Sequence, residues 1–577
     1  MEKNGSAKTT LLVAGAILVV LIIAFAIFAI YKNSSELPFV FSENNAQIYP
    51  EQAPIGTIFK LIFTANSETL EDISSVKTQI DGKNIFLFND GKHGDKNASD
   101  GIFSSIFDSS SLKAGKYSAE FEISFVDGSK ENIIIKKEFE IIENSCKNIL
   151  NSGNPEDKVD VTFIGLDYSS LEDLEKDVKK YADIQQDEDG IFSYSPFKEN
   201  ENKFNIHMIN ELFTSSNLGC TLGCKGVPSV VCCTDKQVIT KASQCPSDKI
   251  VVLINNENFC GSTGQYIKVC SKGIVNNPQV LVHEFGHLFG GLGDEYNYGI
   301  YPGMKKILDY NFPNCVNDCS KWPTNISTGC FKNCGYPDYY RSTESSCIMN
   351  GYVDHFCNVC LNQLNNLLSY YIINSSSEIE SPAPSKEYVI EIKSSNGTLS
   401  QGETYVFEGV APDNRIKTAR GYEAKVISLD NQVMYSIGFD VSGLIFPFYQ
   451  KGSESKPPLI EETEFSYFIR VPYFENGKEI QVYDSNNNQK VLSVDVAYLS
   501  SVKKPIFTLS STEGIYKVGS IYSGSDLIER INLCSTERCY KTFSYEYIPQ
   551  SSDLSANYTL YYYSYDDYAW KPAFAEA

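Results

Sequence analysis

Between Leu37 and Glu143 apolar and polar residues alternate in short runs, among them Ile58-Phe-Lys-Leu-Ile-Phe and Tyr117-Ser-Ala-Glu-Phe-Glu-Ile-Ser-Phe, with turn residues between them. Successive side chains of a strand point to opposite faces, so this period of two predicts half-buried strands and an immunoglobulin-like β-sandwich over residues 37–145. The polar stretch Cys146–Lys158 interrupts the alternation, and Val159–Leu166 then reads as a fully buried strand that opens a second domain. Ser169 and Glu172 have the spacing of a capping box, and Leu171, Leu174, Val178 and Tyr181 follow at helical spacing. Lys249–Asn255 predicts another buried strand, lying just before a second helix. That helix starts at Asn276-Asn277-Pro278, with Asn as cap and Pro at a position whose N–H has no helical partner to lose. Leu281, Val282, Phe285, Leu288 and Phe289 form its apolar face, leaving the polar residues for a cleft, and Gly290, Gly291 and Gly293 end it. His355–Ile372 predicts a closing helix with Phe356, Val359, Leu364, Leu367, Leu368 and Tyr371 inward. Asn374–Lys386 is a linker by composition, and strand patterns return at Tyr388-Val-Ile-Glu-Ile, Tyr405-Val-Phe-Glu-Gly-Val and Phe465-Ser-Tyr-Phe-Ile-Arg-Val.

One stretch breaks from both periods. Leu11–Ile30 is apolar throughout, and 20 helical residues span about 30 Å, the thickness of a bilayer core. Lys3 and Lys8 precede it and a polar, acidic stretch follows. Positive charge favours the cytoplasmic side, so the expectation is a single-pass membrane protein with a short cytoplasmic tail and its bulk extracytoplasmic. A cleaved signal peptide is the rival, and it would make the protein secreted.

At 577 residues the chain is too long for one core, and its 37 tyrosines and 34 phenylalanines favour sheet. A formal net charge of −23 argues against a nucleic-acid partner or an anionic membrane surface. Fifteen of the 17 cysteines fall between Cys146 and Cys360. In an oxidising compartment this clustering predicts a disulfide framework, and the odd total leaves at least one cysteine unpaired or in an intermolecular bond. The rival is structural zinc at Cys220-x3-Cys224, Cys232-Cys233 or Cys357-x2-Cys360. Cys534 and Cys539 are close enough for a local disulfide. In the first sandwich, Asn89-Asp90-Gly91-Lys-His-Gly94-Asp95-Lys-Asn97-Ala-Ser-Asp100-Gly101 carries three carboxylates, enough to hold a Ca2+ ion, although a plain hairpin turn explains it as well.

The chemistry concentrates in His283-Glu284-Phe-Gly-His287. On a helix, residues four apart share a face, so both imidazoles reach one ion, Zn2+. Glu284, on the same side but off the metal, can take a proton from water whose pKa the ion has lowered to about 7. In metzincin peptidases the motif continues His-x-x-Gly-x-x-His/Asp, with the Gly at a sharp turn that returns a third ligand. Gly290 is in place, but the next expected ligand position is Gly293, and the carboxylates come one and two residues late, at Asp294 and Glu295. A flexible Gly-Leu-Gly turn absorbs one extra residue, which favours Asp294, with Glu295 as the alternative and a solvated acidic turn as the plain reading. Ser346-Cys347-Ile348-Met349-Asn350 looks like the Met-turn that floors such sites. His355 reads as a helix-start residue and not a ligand.

These motifs, with Phe356-Cys357-Asn-Val-Cys360 downstream and Val159-Asp-Val-Thr-Phe-Ile-Gly-Leu-Asp-Tyr, Pro196-Phe-Lys-Glu-Asn-Glu-Asn-Lys-Phe-Asn205-Ile and Ile250-Val-Val-Leu-Ile-Asn255 upstream, resemble the IgA peptidase family, the igalysin branch of the metzincins. The resemblance spans roughly residues 155 to 372 and departs from the family at Asn258-Phe-Cys260-Gly261, where a Tyr-Gly-Gly-like turn is expected. It implies an α/β peptidase domain with one catalytic zinc on His283, His287 and Asp294, Glu284 as base, and a polypeptide substrate paired to the edge strand of the upper sheet. The fold class expected is therefore multidomain: an α/β metzincin-like zinc peptidase domain flanked by all-β sandwich domains, with an N-terminal transmembrane helix. Its parts are a tail and anchor (1–32), a sandwich (37–145), the peptidase domain (146–373), a second sandwich (387–500) and a small C-terminal β domain (505–577). The function expected is a membrane-anchored, extracytoplasmic zinc endopeptidase. The alternative is a β-rich cell-surface adhesion or binding protein whose metzincin-like domain is an inactive scaffold.

Overall fold

The structure is a computed structural model. It describes residues 41–499 except for internal stretches that include 273–276, 298–311, 372–385 and 448–459, and the backbone of eight strands between residues 506 and 576. The apolar run Leu11–Ile30 lies outside the described residues, and among those described no helix is long and apolar enough to cross a membrane.

The chain is β-rich and multidomain, with few helices. The domain that carries the motif is built on an eight-stranded sheet: β1 (Cys146–Leu150), β2 (Val159–Leu166), β3 (Phe204–Ile209), β4 (Lys249–Ile254), β5 (Gly261–Thr263), β6 (Ile267–Cys270), β7 (Leu444–Pro447) and β8 (Ile460–Glu461). Their spatial order is β8-β7-β5-β6-β4-β2-β3-β1. The central strands β3, β2, β4 and β6 are parallel. Every residue of β2 is buried, as a strand covered on both faces requires. Among the described residues four helices accompany the sheet: α1 (Leu171–Ala182), α2 (Asp235–Ala242), α3 (Asn277–Leu288) and α4 (Asn358–Leu368). Leu174, Val178 and Tyr181 of α1 and Val280, Leu281, Val282 and Phe285 of α3 enter the same core as Val161, Phe163, Val251 and Leu253.

Local details depart from the sequence expectations. Ser170, not Ser169, caps α1, accepting from the Asp173 N–H at 3.1 Å. Two adjacent serines offer the same chemistry, and the backbone takes the one that puts Leu174 inward. Pro278 does lie in the first turn of α3, while Asn276 is outside the described residues. β4 is not the last strand before α3, because the short strands β5 and β6 intervene, joined at their ends by the disulfide Cys260–Cys270. The closing helix begins at Asn358, so His355 precedes it.

Strands 46–49, 58–64 and 102–108 face a second sheet made of 52–54, 133–142, 115–125, 73–80 and 83–87, and Phe59 meets Phe139 with ring centroids 5.1 Å apart. The first of these sheets continues through one register pair, Ile58 with Val406, into strands 398–408, 386–395 and 464–472. The chain therefore joins segments from before and after the peptidase region in one sheet. Arg470 of this sheet pairs with Glu387 in the interior and donates to Ser247 O at 2.9 Å, which docks the sheet on the loop before β4. In the C-terminal strands Cys534 lies opposite Cys539 in register.

The framework expected of the cysteines is present as Cys146–Cys245, Cys220–Cys233, Cys224–Cys232, Cys260–Cys270, Cys315–Cys334 and Cys319–Cys330. The zinc alternative at Cys220, Cys224, Cys232 and Cys233 is thereby ruled out, since those sulfurs are spent on each other. Cys347, Cys357 and Cys360 are buried and free. The calcium expectation finds no support: His93 binds the Asp90 carboxylate at 3.1 Å, Asp100 accepts from the Ile102 N–H, and Asp95 is outside the described residues.

Candidate active site

α3 carries His283 and His287 one turn apart, and the two Nε2 atoms lie 3.2 Å from each other. Asp294 Oδ1 completes a triangle at 3.0 Å from His283 Nε2 and 3.3 Å from His287 Nε2. Tetrahedral zinc with bonds of about 2.05 Å has ligand edges of about 3.3–3.4 Å, so these three atoms fit one face of such a site and leave the fourth position open. The remaining ring nitrogens are engaged: His283 Nδ1 with Ile348 O at 2.9 Å and His287 Nδ1 with Leu292 O at 2.7 Å. Each carbonyl takes the Nδ1 proton and leaves the Nε2 lone pair for a metal, the usual outer support of metal-bound imidazoles.

The turn that returns Asp294 absorbs the extra residue through Gly291, whose φ of +59° belongs to the left-handed region. Asn314 clamps the turn from outside, accepting from Gly293 N–H at 2.8 Å and donating to Gly293 O at 2.7 Å. A Cβ at Gly293 would stand 2.9 Å from Phe312, so the approach also requires glycine for space. Beneath α3 a Cβ on Gly286 would stand 2.7 Å from Met349 Sδ, which places the Met349 turn as a floor under the histidines.

Glu284 is buried beside this triangle. Its Oε2 accepts from the Thr263 hydroxyl, while Oε1 has no hydrogen-bond partner among the described residues. Burial raises its pKa, and the neighbouring His287 and His283 offset this in part. Burial alone would lower His287, but the Asp294 carboxylate prevails and lifts it to about 9 in the metal-free protein, while Asp294 itself is held well below the usual carboxylate range against the pull of burial.

The structure thus brings together His283, Glu284, His287 and Asp294, and turns Glu295 away from them. Glu295 Oε1 accepts from Asn314 Nδ2 at 3.1 Å and faces Cys357 and Cys360. His355 is likewise apart, bonded to Ser346 and Asp354. The expected open cleft is absent among the described residues: His283, Glu284 and Asp294 are buried, and His287 is only 8% exposed. The outer side of β5 is paired with β7, through Ser262 with Pro447 and Thr263 with Phe446, and the sheet ends instead at β8 and β1. Thr263 and Asn314 escaped sequence reasoning, since neither belongs to a spaced motif, and so did the carbonyls of Leu292 and Ile348, since a motif of side chains gives no role to its backbone oxygens.

This arrangement offers three metal ligands beside a carboxylate, and comparison with known families bears on the chemistry it suits. Residues 148–330 match the model of the family described as IgA Peptidase M64, the family that the motifs resemble. Among curated proteins none matches. Among solved structures, one described as a family 123 glycoside hydrolase from Clostridium perfringens, active in glycolipid glycan hydrolysis, aligns at 15% identity over 26% of this chain and 31% of that one, with a TM-score of 0.11. The chain thus spans about a third of that protein, and a likeness of this size carries no argument about fold.

Proposed function

We propose that the chain is a zinc-dependent endopeptidase, anchored by Leu11–Ile30 with its large domains outside the cytoplasm, and that its metzincin-like domain, centred on residues 146–373 and completed by β7 and β8, lies between β-sandwich domains. The observation that carries the catalytic reading is the convergence of His283 Nε2, His287 Nε2 and Asp294 Oδ1 next to the unpartnered Glu284 Oε1. Zinc, when bound by these three residues, supplies Lewis acidity at the scissile carbonyl and makes water acidic enough to ionise near neutrality. Glu284 Oε1 then accepts the proton of the attacking water and delivers it to the departing amine nitrogen. Thr263 holds the other carboxylate oxygen, so the base turns the same atom to the reaction in both transfers. The carbonyls of Ile348 and Leu292 keep both imidazoles oriented throughout.

The test is hydrolysis of an unfolded protein substrate by the purified full-length chain, its loss to a chelator and its return with zinc. A chain that holds zinc on these residues and cleaves no polypeptide would favour the scaffold of a surface-binding protein instead.

A further inference from the structure

Three cysteines left out of the disulfide framework lie together. Cys357 Sγ is 3.3 Å from Cys360 Sγ, and Cys347 Sγ is 3.6 Å from Cys360 Sγ. Glu295 Oε1 closes the group, 3.6 Å from Cys357 Sγ and 3.7 Å from Cys360 Sγ. The four ligand-type atoms all fall within 4.8 Å of one another, and all four residues are buried. Around tetrahedral zinc with Zn–S near 2.3 Å and Zn–O near 2.1 Å, sulfur–sulfur edges are about 3.8 Å and sulfur–oxygen edges about 3.6 Å. These four separations lie within about half an ångström of those edges.

We propose that Glu295, Cys347, Cys357 and Cys360 form a second, structural zinc site, four-coordinate and closed to solvent, distinct from the hydrolytic centre. The carboxylate itself argues for a cation. Among the described residues Glu295 Oε2 is buried with no hydrogen-bond partner, and Oε1 meets Asn314 and the thiols of Cys357 and Cys360. A buried carboxylate without a counter-charge is costly, and a divalent ion at the centre of the group removes that cost. The surroundings also suit thiolates: the Cys357 N–H points at Cys347 Sγ at 3.3 Å and the Ser342 hydroxyl donates to Cys357 Sγ at 3.1 Å. Such donors spread the excess negative charge of three thiolates and a carboxylate around one Zn2+. Redox chemistry points the same way. A domain that closes six disulfides yet keeps three adjacent sulfurs reduced needs something to hold them, and a Cys357–Cys360 bond would strand Cys347 beside the carboxylate.

The site would act by position. Glu295 follows Asp294 directly, and its N–H donates to Met349 O at 2.8 Å. Cys347 opens the Met349 turn whose Ile348 carbonyl orients His283, and Cys357 caps α4. One ion therefore ties together the turn that presents Asp294, the floor under the histidines and the closing helix, making its four ligands positioning residues. The inference uses none of the hydrolytic ligands and stands apart from the peptidase reading.

The test uses the full-length chain loaded with cobalt(II) in place of zinc. Sulfur-to-cobalt charge transfer gives intense near-ultraviolet absorption, which His283, His287 and Asp294 cannot produce. The expected result is two metal ions per chain and this absorption, lost in the Cys357→Ser, Cys360→Ser double variant and retained in Glu284→Gln. Absence of hydrolysis by the zinc-loaded wild type, with the absorption present in its cobalt form, would count against the peptidase reading only. Should the double variant not fold, metal analysis of the wild-type chain decides the question: two ions per chain, with Cys347, Cys357 and Cys360 all open to alkylation after denaturation without reduction, are expected, and a single ion per chain overturns the proposal. A Cys357–Cys360 disulfide in the metal-loaded chain, or cobalt loading without the absorption, overturns the proposal.

Discussion

Replacing Glu284 by Gln isolates the proton transfer from the metal. Gln is isosteric, and its carbonyl oxygen can still accept from the Thr263 hydroxyl, so the side chain keeps its place. The atom now at the Oε1 position is an NH2 group, which donates where the base accepted. The three metal-binding atoms, Nε2, Nε2 and Oδ1, are untouched, so zinc content should equal that of the wild type. Turnover should not survive. A positioned general base contributes about 10²–10⁴-fold, or about 2.7–5.5 kcal/mol of barrier. Because the same carboxylate serves both transfers, the upper part of that range is expected in kcat, with KM little changed. The assay pairs metal analysis with initial rates on an unfolded protein substrate. A variant carrying full zinc whose rate is within about threefold of wild type would refute Glu284 as the base.

Asp294→Ala should remove one metal ion per chain while leaving sulfur-to-cobalt absorption in place, a result read by metal analysis and spectroscopy together. In the metal-free protein His287 is raised to about 9 from 6.5, so its contact with Asp294 contributes stability that is full below about 6.5 and lost as pH rises through about 9. Zinc needs the neutral ring, so binding at pH 7.5 should release a proton from His287, detectable as a buffer-dependent calorimetric enthalpy, and affinity should rise with pH towards 9. Gly290→Ala would set a Cβ 2.7 Å from Gly286 O and 2.9 Å from Leu364, an overpacking worth about 1–3 kcal/mol that thermal unfolding would register as a lower Tm. Protease treatment of intact cells should release the large domains and spare the tail before Leu11, whereas a mature amino terminus found after residue 25 would show the apolar run to be a cleaved signal.

Much of the site was legible because it depends on local geometry. His283 and His287 share a helical face by spacing alone, and the excess of glycine before Asp294 signalled a turn able to take up an extra residue. Glu295 was harder, since adjacent carboxylates look alike in sequence. The structure separates them, Asp294 at the two imidazoles and Glu295 at Asn314 and the thiols of Cys357 and Cys360. The Cys357-x2-Cys360 pair was visible, but not its completion by Cys347 and Glu295, which the fold gathers from three elements. β5 and β6, of three and four residues, are too short for a period to register. β7 could not be foreseen at all, because it reaches β5 from nearly 200 residues away and a two-residue ladder leaves no local pattern.

That last pairing sets a competition. Peptide backbone added to the outer side of β5 must take hydrogen bonds that β7 already holds, and β7 is tethered to the same molecule. A tethered competitor acts at an effective concentration that short linkers raise to the millimolar range. A free substrate present at micromolar levels therefore begins at a disadvantage that its own side-chain contacts have to overcome. The two-residue extent of the β5–β7 ladder limits that disadvantage, because a longer incoming strand exchanges few bonds and gains more.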